Sequence, residues 1–428
     1  MHSTTRDLWA FRLLISLCSW VSGLLYAAPG PGRFDLSHWD QSRPLKLDGT
    51  WLYMPGRFVE PHEFENILDH DHQDVDVLPG NALLHEEAAA PRYGTYILRL
   101  ARPQNLADMA LLHGLYYSSA KSQVFCRQQP RRSLTLNLGQ VGASIPSSTP
   151  RAASLAIQNL QELASLPACP ELVIMLQVSS QHHSRSGVWQ PPHLGRRVEF
   201  EALRTGQLRS HAFLLAVLLL MSAYGAGLVW RRQEKSALYV SLGALVLGLR
   251  LAAQFHAMQT TAGISRWIWH FENLGMHAAV YLVPYFSWKS LRHVLRGSHP
   301  IPWMERVLDG AVLSVLLVQL LTPVQFWTDF TGFLPLLGGC LMLLFLYGLS
   351  QSRGKSRPQI GLHAFGLGLA AGGLLLEILV SGRMIDDLPL HASAYGYAIW
   401  LFLQLQLGPG YGAFPYAKIQ AHNPCGSP

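Results

Sequence analysis

From His211 to Gly408 the chain is a series of long apolar runs separated by short polar breaks. Seven segments stand out, at roughly 211–230, 236–256, 267–288, 307–323, 330–350, 360–380 and 391–408. Each approaches the ~20 residues that a helix needs to cross ~30 Å of hydrocarbon. The pattern predicts an α-helical seven-transmembrane bundle. Ahead of it, residues 30–205 change period: polar residues return, and glycine and proline punctuate short alternating runs. Tyr96, Leu98 and Leu100 alternate with Ile97 and Arg99, and Leu172 to Val178 is a compact apolar run. Similar runs lie at 50–53, 110–112, 123–125 and 134–138. Short strands separated by turn signals predict an antiparallel, all-β sandwich, with a helical turn expected at Gln161 to Ala164.

Composition agrees with a membrane chain: 49% of residues are hydrophobic and 14% charged. The net charge of +7 falls mostly in the breaks between apolar segments, so a nucleic-acid partner is not expected. Those charges alternate. Arg231, Arg232 and Lys235 follow the first segment, Lys289, Arg292, Arg296 and Arg306 the third, and Arg353, Lys355 and Arg357 the fifth. The other breaks carry only Arg266 and Arg383. Basic loops stay cytoplasmic, which places the amino-terminal domain outside and the carboxyl terminus inside. Residues 1–28, with Arg6 and Arg12 ahead of the run Leu13 to Leu25, have the form of a secretory signal, cleaved or retained as an anchor. The expected plan is a signal (1–28), an outer sandwich (30–205), seven spans (211–408) and a short cytoplasmic tail (409–428).

Several stretches carry a family resemblance. Leu47-Asp48-Gly49-Thr50-Trp51, Val75 to Gly80 and Tyr93-Gly94-Thr95-Tyr96-Ile97-Leu98 resemble the opening of galactose-binding-like jelly rolls. Gln177 to Ser180, Ser186-Gly187-Val188-Trp189 and Leu194-Gly195 resemble its end. With the apolar segments behind them, the whole resembles the bacterial seven-transmembrane receptors with diverse intracellular signalling modules. Arg250 and the run His270-Phe271-Glu272-Asn273-Leu274 match that family in part, since His270 and Asn273 replace its usual residues. The resemblance implies a periplasmic jelly roll and a bacterial inner-membrane receptor. Family members commonly continue into a catalytic output domain; here Gly408-Pro409-Gly410 breaks the last helix and only a short stretch follows. A signal is therefore expected to pass to a cytoplasmic partner in trans.

Candidate chemistry is sparse. His182, His183, Arg185 and Trp189 follow a predicted strand, and an aromatic face beside cationic donors suits a sugar ring or a carboxylated small molecule. Tyr116 and Tyr117 are weaker companions. The alternative is that Trp189 packs a strand edge and the histidines are solvated. Asp69-His70-Asp71-His72-Gln73-Asp74 offers cation ligands, but in no closed zinc spacing, and reads as a solvated loop. Arg250, Glu272 and Glu377 are expected as an intramembrane polar cluster. Of five cysteines, Cys126 and Cys169 share the outer domain, where a disulfide can form; their spacing does not set their distance. No catalytic constellation or cofactor motif is present, so no enzyme activity, cofactor or metal is expected. The leading expectation is a sensor that binds a carbohydrate-like or other small periplasmic ligand. The rivals are a transporter or channel component and a structural anchor for an adhesive sandwich.

Overall fold

The computed structural model describes residues 33–328, apart from 35, 37–38, 42, 49–50, 68–72, 76–91, 114–118, 151–154, 167–168, 183–187, 189–190, 234, 260–265 and 295–301, together with the single positions 337, 341, 396 and 399. Its strands are β1 (Arg33–Phe34), β2 (Leu45–Lys46), β3 (Trp51–Pro55), β4 (Gln73–Val75), β5 (Tyr93–Ala101) and β6 (Met109–His113). They continue with β7 (Ser119–Cys126), β8 (Gln129–Leu138), β9 (Ala156–Asn159), β10 (Glu171–Ser179) and β11 (His193–Arg196). The large sheet runs β4-β3-β5-β10-β7-β8, and the small one β2-β11-β6-β9. β1 pairs in parallel with the far end of β5, Arg33 opposite Arg99, so the large sheet is mixed rather than purely antiparallel.

Alternation along the central strands sends one side-chain set between the sheets. Tyr96, Leu98 and Leu100 of β5, Val124 of β7 and Ile174, Leu176 and Val178 of β10 share a core with Leu111 of β6 and Leu194 of β11. The opposite set, Ile97, Phe125, Val173 and Met175, is also buried, because Val59, Phe64 and Ile67 lie over it. Strands covered on both faces read as unbroken apolar runs, as 172–176 does. Cys126 and Cys169 are joined, their Cα atoms 5.6 Å apart and 43 residues apart in sequence. In the chain-closure account, a loop of that length contributes ~4 kcal/mol.

The helices are α1 (Phe64–Ile67), α2 (Gln161–Ala164), α3 (Arg197–Arg232), α4 (Lys235–Gln259), α5 (Arg266–Val294), α6 (Pro302–Leu321) and α7 (Val324–Thr328). The short helices α1 and α2 sit among the strands, so the amino-terminal region is sheet-rich rather than all-β. α3 starts at the residue after β11. Its first turns are polar, with Arg197 3.5 Å from Glu201, and Phe200 is buried against Ala110 and Leu112 of β6. A Cβ at Gly195 would lie 2.9 Å from the Phe200 ring, so glycine is what lets the helix seat there. Further on, α3 packs against α4 through Gly225, whose missing Cβ leaves room for Ser241 at 3.0 Å, and Ser241 Oγ donates to the Ser222 carbonyl at 2.7 Å.

The seven-helix bundle expected from the sequence requires correction. Among the described residues, only two helices are long and apolar enough to cross a membrane, over Arg197–Arg231 and Lys235–Ala253. The third and fourth apolar segments do form α5 and α6, but the helices run past the segments and take in charges that the sequence assigned to the breaks. α5 holds Arg266, Glu272, Lys289 and Arg292, and α6 holds Glu305, Arg306 and Asp309. Each charge costs ~2.5–3.5 kcal/mol at the centre of a bilayer. The fifth to seventh segments, the signal and the tail lie outside the described residues, isolated positions apart.

Candidate functional site

Three polar centres are built into the sandwich, and they differ in what they can do. The first lies on the outer face of the large sheet. Glu60, at the amino-terminal side of α1, accepts from Lys121 Nζ at 2.9 Å, Gln123 Nε2 at 3.1 Å and Gln177 Nε2 at 3.1 Å. Gln177 also donates to the Val59 carbonyl at 2.7 Å, and Thr95 Oγ1 bridges Val59 N and the Arg57 carbonyl. Burial pushes the Glu60 carboxyl up, but the three donors and the Lys121 charge outweigh it and hold the carboxyl below its usual range. With both oxygens engaged, this carboxylate clamps residues 57–67 onto the sheet. The second centre spans the two sheets. Gln158 Oε1 accepts from Ser122 Oγ at 2.7 Å and from His113 Nε2 at 2.9 Å, while its amide donates to the Leu134 carbonyl. All three side chains are buried, and the network fixes the register of one sheet over the other.

The third centre is open. A cleft of about 650 Å³ is walled by residues 39–41, 101–105 and Arg196. Arg102 is committed to its wall, donating to the carbonyls of Ala164 at 2.9 Å and Leu166 at 3.1 Å. Trp39 packs on the sandwich core and donates Nε1–H to the Arg43 carbonyl at 2.8 Å. Arg196 ends β11 and is the last residue before the first turn of α3. The cleft therefore opens where sandwich becomes helix.

A second junction couples the two regions. His182, in the loop after β10, meets Ser148 Oγ at 3.0 Å and lies edge-on to Trp269 of α5, ring centres 6.0 Å apart. Trp269 clusters with Val324 and Trp327 of α7. The Gln325 amide oxygen of α7 accepts from the Arg92 guanidinium, just ahead of β5.

Of the residues singled out in the sequence, His182 falls at this helix junction rather than in the cleft. His183, Arg185, Trp189, Tyr116, Tyr117 and Glu377 lie outside the described residues, as do residues 69–72 of the acidic, histidine-containing stretch. Arg250 belongs to the α4–α5 interface. Gly275 would place a Cβ 3.8 Å from the Arg250 Cα, and Glu272, one turn earlier, is buried. Among the described residues no group of three or more metal-ligating side chains is present. Sequence reasoning missed the cleft entirely, since its walls come from stretches far apart in the chain. It also took Lys289 and Arg292 for solvated loop charges. Lys289 is buried between Glu305 at 3.0 Å and Asp309 at 2.7 Å, Arg292 also pairs with Glu305, and the Tyr285 hydroxyl donates to Asp309 at 2.9 Å. The four-residue spacings 285/289 and 305/309 were the available signal.

No protein-family profile matches the chain, and no curated protein matches it. Among solved structures it is similar to a β-glucuronidase from Ruminococcus gnavus, at 11% identity and a TM-score of 0.24, over 36% of this chain. The match spans 28% of that enzyme's chain, and a likeness this distant carries no argument about function.

Proposed function

We propose that this chain is a membrane-attached sensor, without catalytic activity of its own, from a bacterial inner membrane. The sandwich stands on the periplasmic side and binds a small ligand, the α3–α4 hairpin crosses the bilayer, and a separate cytoplasmic partner reads the helices. One observation carries the reading: the sandwich and the helices are joined without slack. β11 passes directly into α3, and His182 and Arg92 rest on α5 and α7. A displacement in the sandwich then has no flexible linker in which to dissipate. The Cys126–Cys169 bridge supports an oxidising compartment for the sandwich, and Arg231, Arg232 and Lys235 at the α3–α4 turn support its cytoplasmic placement.

The test uses the full chain in lipid nanodiscs, with Cys18, Cys340 and Cys425 replaced by serine and spin labels at Arg131 and Gln233. A panel of sugars and organic acids is screened by thermal shift, and each binder is added to the labelled protein. The expected result is a shift in the label-to-label distance distribution, diminished by His182→Ala. An unchanged distribution at saturating ligand overturns the sensor reading and leaves a passive anchor.

A further inference from the structure

The open cleft at the sandwich–helix junction has a composition that narrows its ligand. We propose that it binds the ring of a small sugar, with Trp39 as the platform and Asp40, Gln41, Gln104 and Asn105 as partners of the hydroxyls. This rests on the reading of the sandwich as a ligand-binding module and names its site.

Four features lead there. The volume, about 650 Å³, lies within the ~300–1,000 Å³ typical of small-molecule sites. Trp39 is held in place by its core packing and its bond to Arg43, so it offers a rigid, amphipathic plate at little entropic cost. Beside Leu36, Ala101 and Pro103, the walls carry one carboxylate, Asp40, and three carboxamides, Gln41, Gln104 and Asn105. A hydroxyl both donates and accepts, and a set of planar acceptors and donors satisfies several at once. Finally, the charges do not favour a compact anion: Arg102 is spent on backbone carbonyls, and Asp40 shares the wall with Arg196. Gln41 adds a mark of construction. Its φ of 61° is in the left-handed region, uncommon for a residue with a side chain and a kind of strain that gathers at ligand clamps.

The position of Arg196 gives binding a consequence. This residue is the last of β11 and the last before the first turn of α3, and its guanidinium lies 3.9 Å from Glu199 in that turn. A sugar hydroxyl taken up by Arg196 draws it from Glu199 and so acts on the first turn of the helix.

Saturation-transfer NMR on the full chain in nanodiscs, free of sugar-headed detergent, tests the proposal with methyl α-glucoside, methyl α-galactoside and, as a carboxylate control, sodium acetate. At least one hexoside should bind saturably and acetate should not compete. Gln104→Ala and Asn105→Ala, both on exposed positions, should each weaken binding about fivefold, and Trp39→Leu, which keeps apolar volume against the core, about tenfold or more. Melting temperatures of the two alanine variants should be unchanged. No saturable binding of either hexoside overturns the proposal, as does undiminished binding in Trp39→Leu and Gln104→Ala, or displacement of the hexoside by acetate. Binding with no change in the Arg131–Gln233 distance upholds the cleft and overturns transmission. A distance change driven only by a ligand that does not compete with the hexoside keeps the sensor and overturns the cleft as its input site.

Discussion

The sandwich and α3 are built from the same apolar residue types and treat them in opposite ways. Tyr96, Leu98 and Trp51 are fully buried, whereas Phe213 is 68% exposed, Leu220 71% and Trp230 87%. The sandwich spends loop 57–67, the Glu60 clamp and a second sheet on covering apolar side chains. α3 leaves apolar side chains bare from Phe213 to Trp230, ~26 Å of a helix ~54 Å long. The difference teaches which solvent each region is made for. Water penalises an exposed leucine face and hydrocarbon does not, and α3 is long and apolar enough to cross ~30 Å of hydrocarbon. Polar groups reverse the logic. In the sandwich they line an open cleft or join the Glu60 and Gln158 networks, and in the helices the buried Lys289 is compensated by Glu305 and Asp309.

The sharpest break of this contrast is to place charge on the bare face. Phe213→Asp with Leu220→Asp should remove ~5–7 kcal/mol of insertion free energy and move the chain out of the carbonate-resistant membrane fraction. Retention of the double variant in that fraction would mean that α3 does not meet lipid. A gentler pair compares one substitution in both regions. Leu98→Ala should cost about 3 kcal/mol of sandwich stability in denaturant titration, while Leu220→Ala should stay within ~0.5 kcal/mol. Equal costs would show that α3 is covered by protein. The smallest effect concerns pH. The Glu60 carboxyl titrates lower when folded than when unfolded, so its contribution is present above the unfolded carboxyl range (~4.3) and is lost as pH falls through the lower folded value. Glu60→Gln should therefore flatten the fall in melting temperature as pH drops below the ordinary carboxyl range of ~4.3. A variant whose acid limb matches the parent's would remove Glu60 from the account.

Much of the local structure was legible in the residues themselves. The alternation of Tyr96, Leu98 and Leu100 with Ile97 and Arg99 marked β5, and the run from Phe213 to Leu220 marked α3, because side-chain period and run length are properties of a short window. The same window misled over α5 and α6. It placed Lys289, Arg292 and Arg306 in a break between segments, whereas the helices run on through them and pair Lys289 and Arg292 with Glu305.

Convergence of distant residues belongs to the packed molecule. Glu60 meets Lys121, Gln123 and Gln177 because β7 and β10 are neighbours in the large sheet and residues 57–67 fold over them. Trp39, Asn105 and Arg196 line one cleft although they come from three separate parts of the chain. His182 reaches Trp269 across 87 positions. Which stretches alternate and which run apolar is a property of the chain alone, since both follow from the spacing of apolar side chains. Strand order, register and the seat of α3 on Gly195 set which distant side chains share a site. Those depend on how whole elements pack, a choice that no single window of residues contains.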